Sequence, residues 1–121
     1  MIRHIVFFTV PADKVDEVRD GLSMLAGIPQ ALAFEIGINM KRDLFDNEVD
    51  LIVYAEFENA KTLDAFNAHP LYQASIDIVK PLRKMRIAAD YETNGDGDVG
   101  RHKAGEPNLA LADMNSGVVH Q

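Results

Sequence analysis

Ile2-Arg3-His4-Ile5-Val6-Phe7-Phe8-Thr9-Val10 is the stretch that decides the fold. Side chains alternate across a strand, so His4, Val6 and Phe8 share one face while Ile5 and Phe7 share the other. A half-solvated strand would carry polar residues on one of these faces. This one is apolar on both and has to be covered twice. In a chain of 121 residues, one cover is expected from the protein's own helices and the other from a second copy of the chain. His4 then lies on a buried face, where a polar side chain needs a partner or a task.

The length suits one domain with a single core. Hydrophobic residues make up 47% and charged residues 26%, the balance of an ordinary globular protein. The sequence has no cysteine, which excludes disulfides, thiol chemistry and zinc held by thiolates. No run approaches the ~20 apolar residues of a membrane span. The first residues read as a strand rather than a signal peptide, so the expected location is cytoplasmic, with no membrane partner. A net charge of −7 argues against nucleic acid, which needs a basic surface.

Working outward, Pro11 ends the first strand and Asp13 is positioned to cap a helix over 13–26. Val15, Val18, Leu22 and Leu25 recur there at helical spacing. Gly27 and Pro29 stop the helix. Leu32 to Met40 reads as a second strand, and the polar run 41–48 as a hairpin loop. Asp50 to Phe57 is a third strand, apolar on both faces. Asn59 caps a second helix, which His69-Pro70 interrupts before it resumes over 71–79, because proline fits the first turn of a helix but not its interior. Lys84 to Tyr91 is the fourth strand. The order β-α-β-β-α-β is the ferredoxin-like α+β pattern, a four-stranded antiparallel sheet with helices on one face. Its other face is apolar here, and an identical chain is the expected cover, giving a homodimer or a higher oligomer built from it.

Residues 93–121 are rich in Gly, Asp and Asn and separate from the core at 1–92 as a tail. Leu109-Ala110-Leu111-Ala112 with Met114 forms an apolar cluster, which suggests an arm packed across the dimer partner. Asn94-Gly95-Asp96-Gly97-Asp98 opens like a calcium loop. The pattern then needs glycine at the sixth position and glutamate at the twelfth, where Val99 and Gly105 stand, so no metal is expected. His102 and His120 lack helical or cysteine partners. No phosphate-binding glycine loop follows a strand, and no cofactor is expected.

Ile2-Arg3-His4-Ile5-Val6, Ile28-Pro29, Phe57-Glu58, His69-Pro70 and Ala89-Asp90-Tyr91, in this order, resemble the stress-responsive A/B barrel domain family. The resemblance covers the core and none of the tail. It implies a dimeric α+β barrel. The family includes heat-stable plant stress proteins, the polyketide cyclase olivetolic acid cyclase, and bacterial members without an assigned activity. The resemblance to the cyclase implies a pocket-lining role for His4. The cyclase's catalytic histidine falls at Tyr72 here, and two of its pocket tyrosines at Gly21 and Phe66. Tyrosine is protonated at neutral pH and donates a hydrogen bond where histidine would act as a base.

The candidate site follows from these placements. His4, Tyr72 and Asp90 are the candidate catalytic residues, with Asp90 able to pair with His4 if the two share a face. Val6, Phe8, Val53, Phe66, His69 and Arg86 are candidate ligand contacts. Such a pocket suits a small hydrophobic or aromatic ligand. Each polar residue also has a structural reading: His4 as a hydrogen-bonded core histidine, His69 as a helix cap, Asp90 as a strand-end cap and Tyr72 as core. Two alternatives to a ligand-binding or enzymatic barrel stand beside it. One is a stress-protective dimer without chemistry, and the other is a cofactor-free monooxygenase, known from other dimeric α+β barrels.

Overall fold

A computed structural model describes residues 1–93 of the chain. The expected arm, the rejected calcium loop and His102 and His120 lie outside the described residues. The elements are β1 (Ile2–Thr9), α1 (Val15–Ser23), β2 (Ala33–Ile38), β3 (Leu51–Phe57), α2 (Ala60–Asn67), α3 (Pro70–Val79) and β4 (Met85–Glu92). The sheet order is β2-β3-β1-β4, antiparallel throughout, so the strand that opens the chain lies at the centre. This is the ferredoxin-like α+β fold. No helix among the described residues is long and apolar enough to cross a membrane.

The register fixes which residues share a face. His4 stands opposite Ala55 and Asp90, Val6 opposite Val53 and Ala88, and Phe8 opposite Leu51 and Arg86. On this face Val6, Phe8, Leu51, Val53, Ala55 and Phe57 are buried together with Val18, Leu22 and Leu25 from the α1 region, Phe66 from α2 and Val79 from α3. Phe57 meets Phe66 edge to face at 5.0 Å between ring centres. Each fully buried side chain of this kind contributes roughly 1.5–3 kcal/mol.

α1 and α3 pack closely because Gly21 has no side chain. A Cβ there would come within 2.8 Å of Ile78 Cγ2 and 3.0 Å of Val79 Cγ2. The Ser75 hydroxyl donates to the Gly21 carbonyl at 2.8 Å and ties the two helices together.

The opposite face carries Arg3, Ile5 and Phe7 of β1, Ile52, Tyr54 and Glu56 of β3, Ile87, Ala89 and Tyr91 of β4, and Gly37 of β2. Ile5 and Phe7 are half-buried, while Ile87 and Tyr91 are 56% and 48% exposed. A Cβ on Gly37 would meet nothing within 4 Å. Polar side chains here pair with one another. Tyr54 donates to Glu56, and Arg3 donates to the Tyr91 hydroxyl at 3.1 Å. Burial pushes the Tyr54 phenol above its usual range, and the bond to Glu56 adds to the shift.

Local structure departs from expectation at two places. The helix expected over 13–26 is α1 flanked by two 3-10 turns, Ala12–Lys14 and Met24–Gly27. Asp13 is not its cap. Pro11 begins the first 3-10 turn, Lys14 N–H donates to the Pro11 carbonyl at 2.9 Å, and Asp13 falls inside the turn. The backbone closes the entry, leaving a carboxylate cap no role. β2 stops at Ile38 rather than Met40. The Asn39 amide donates to the Val49 carbonyl at 2.8 Å, and its oxygen accepts from Lys41 N–H at 2.9 Å. That local bonding competes with the strand ladder and starts the loop.

The second-helix punctuation is as expected. Asn59 and Thr62 form a reciprocal capping box on α2. His69 caps α3, with Nδ1 accepting from Leu71 N–H at 3.0 Å and Pro70 in the first turn.

Candidate functional site

A cavity of about 230 Å³ lies between the sheet and the helices. Its floor is His4, Val6 and Phe8 of β1 with Val53 of β3. Phe66 of α2 and Leu22 and Leu25 of the α1 region form one wall. α3 supplies the other with Tyr72, Ser75, Ile76 and Val79. Lys80, Arg83 and Arg86 complete the lining.

His4 is 7% exposed and is the one titratable group on the apolar floor. Its Nδ1 is hydrogen-bonded to Asp90 Oδ1, directly across the β1–β4 ladder. A carboxylate only accepts, so the proton lies on Nδ1 and the neutral ring keeps its lone pair on Nε2. Phe57 packs edge-on against the ring at 6.2 Å. Burial, a carboxylate and an aromatic edge thus hold His4 in one orientation and one tautomer. Asp90 itself is 43% exposed at the side chain and stands behind His4, outside the cavity lining.

Tyr72 reaches the cavity from the start of α3, its ring edge-on to Phe66 at 5.9 Å. Its hydroxyl has no hydrogen-bond partner among the described residues. The arrangement therefore offers an oriented imidazole and a phenol in one apolar enclosure.

Of the residues expected from the sequence, His4, Val6, Phe8, Val53, Phe66, Tyr72 and Arg86 all line the cavity, and Asp90 is bonded to one of them. His69 does not line it, because its ring is turned to the α3 backbone as a cap. The expectation missed Leu22, Leu25, Ser75, Ile76, Val79, Lys80 and Arg83. For Ser75, Ile76 and Val79 the signal is the helical spacing that continues from Tyr72, since residues three and four apart share a helix face.

The model of the stress responsive A/B barrel domain matches residues 2–93. The chain belongs to this family. Among solved structures, a dimeric ferredoxin-like protein of unknown function from Thermobifida fusca is 27% identical, with a TM-score of 0.65 over 76% of this chain and 90% of that one. A member of the same A/B barrel family with a ferredoxin-like fold, from Mesorhizobium loti, is 23% identical, with a TM-score of 0.64 over 76% and 95% of the two chains. An antibiotic biosynthesis monooxygenase is 14% identical, with a TM-score of 0.62 over 77% and 98%, a likeness of fold. No curated protein matches the chain. The A/B barrel relatives thus share the sheet and helices that enclose the cavity, and several similar structures are described as dimeric.

Proposed function

We propose that this A/B barrel protein is a homodimer that takes a small, largely apolar molecule into the cavity between its sheet and helices. His4, oriented by Asp90, is the base, and Tyr72 is a hydrogen-bond donor. The chemistry this permits is proton abstraction from the bound molecule, with the phenol supporting the oxygen on which charge develops. The observation that carries the reading is His4 on an apolar floor with its tautomer set by a carboxylate. A core histidine with only a structural role has no need of an adjoining cavity of about 230 Å³.

The dimer is supported by the apolar open face around Ile5, Phe7 and Ile87 and by the dimeric neighbours. A cytoplasmic setting belongs to the same reading, supported by the lack of a membrane-crossing helix among the described residues.

The test is a titration with small aromatic molecules, neutral and acidic, followed through the imidazole ¹H–¹⁵N signals. Binding is expected to shift the His4 signals and to be lost in Ile76→Phe, which fills the cavity from a half-buried site. A panel that leaves every His4 signal in place would sink the reading and favour a stress-protective dimer without chemistry.

A further inference from the structure

Net charge is −7, yet among the described residues no Asp or Glu lines the cavity, while Lys80, Arg83 and Arg86 all do. The three come from different segments: the C-cap of α3, the α3–β4 connection and β4. Lys14, Arg19 and Lys41 each pair with a carboxylate elsewhere on the molecule. None of the three cavity cations has an ion pair or side-chain hydrogen bond among the described residues. A helix-end role explains Lys80, which sits where the α3 dipole favours a cation. It does not explain Arg83 or Arg86.

The register sets the distance between this cluster and the base. Arg86 stands opposite Phe8, and Asp90 opposite His4. Four residues of strand separate the two rows, or about 13 Å. Val6 and Val53 lie between them. The cavity thus has a cationic end, an apolar middle and an imidazole at the far end.

We propose that the molecule bound here is a compact apolar monocarboxylate. Its carboxylate lies among Lys80, Arg83 and Arg86, and its body extends toward His4. This rests on the cavity being a ligand site, as argued above, and adds the chemical class of the ligand. Guanidinium groups match the two oxygens of a carboxylate, and charge-assisted bonds of this kind are the stronger ones. Scaled from a benzene-holding cavity of about 150 Å³, the volume suits roughly ten non-hydrogen atoms, a single ring with a short acid arm. Binding the acid at this end leaves the other end of the molecule, not the carboxylate, beside His4.

The probes are 3-phenylpropanoate and its neutral isostere 3-phenylpropanamide, compared by calorimetry at low and at physiological salt. The acid is expected to bind at least ~10-fold more tightly than the amide, the gap narrowing with salt. Arg83→Gln/Arg86→Gln is expected to erase the preference while Lys61→Gln, on exposed α2, keeps it. Lys80→Gln, at an exposed position, gives a partial loss and guards against a folding defect in the double variant. Equal binding of acid and amide, both lost in Ile76→Phe, overturns the anion proposal and leaves the ligand site standing. A preference for the acid that survives the double variant places the anion elsewhere and also overturns it. If neither probe binds, the ligand site and the anion proposal fall together.

Discussion

On one side of β1, His4, Val6 and Phe8 are sealed beneath the helices. One residue along, Ile5 and Phe7 look out from a face that no helix of the described chain covers. The residue types are alike and the surroundings differ. On the helix side the chain supplies its own cover but does not fill the space, leaving a cavity with an oriented imidazole. On the open side polar groups pair within the face, Tyr54 with Glu56 and Arg3 with Tyr91, and no described helix covers the apolar centre. Under the proposed function the same strand bears on both ligand binding and assembly, and substitutions can separate the two.

The largest effect is expected on the helix side. Phe66 is fully buried against Phe57, and Phe66→Ala should cost roughly 3–5 kcal/mol in urea unfolding. A loss below about 1 kcal/mol would show that the helix face is not the stabilising core. Phe7→Glu attacks the other face. A charge buried without a partner should weaken dimerisation by ~3 kcal/mol, roughly a hundredfold. Light scattering should then find a folded monomer, and an unchanged dimer would place the interface elsewhere.

His4→Leu sharpens the contrast, because it removes the imidazole without emptying the core. Asp90 is 43% exposed and regains water, so the expected loss is about 1 kcal/mol or less in thermal unfolding, with ligand-dependent shifts abolished. A much larger loss would make His4 a structural residue. Asn59→Ala, which touches neither ligand binding nor assembly, serves as the control. It removes the capping box at a helix end remote from either face and should cost about 1 kcal/mol with the dimer and the cavity unaltered.

Strand and helix order are legible from residue pattern alone, because a strand apolar on both faces and a His-Pro within a helical run each admit few arrangements. His4 and Asp90 are legible as a pair once period-two counting puts both on one face. The same counting places Arg86, but the other two cavity cations are not legible. Lys80 and Arg83 flank Pro81 and read locally as solvated charge, and only the tertiary placement of the end of α3 and the connection to β4 puts them at the cavity. Asp13 fails as a cap for a related reason: whether a backbone turn preempts a side chain depends on geometry that Pro11 sets, which composition does not show. His69 illustrates the reverse, since its local capping role claims the ring before any ligand can.

The bond between His4 and Asp90 joins residues 86 positions apart, one in the first strand and one in the last. At a synthesis rate of ~5–20 residues per second, the histidine waits roughly four to seventeen seconds for its carboxylate to be made. During that interval the edge of β1 that β4 will cover has no strand beside it, and an unpaired apolar edge invites pairing with other chains. The arrival of β4 ends the hazard and supplies the imidazole's carboxylate partner in one event. A truncated product lacking 85–92 would therefore lack the oriented imidazole and be prone to aggregate.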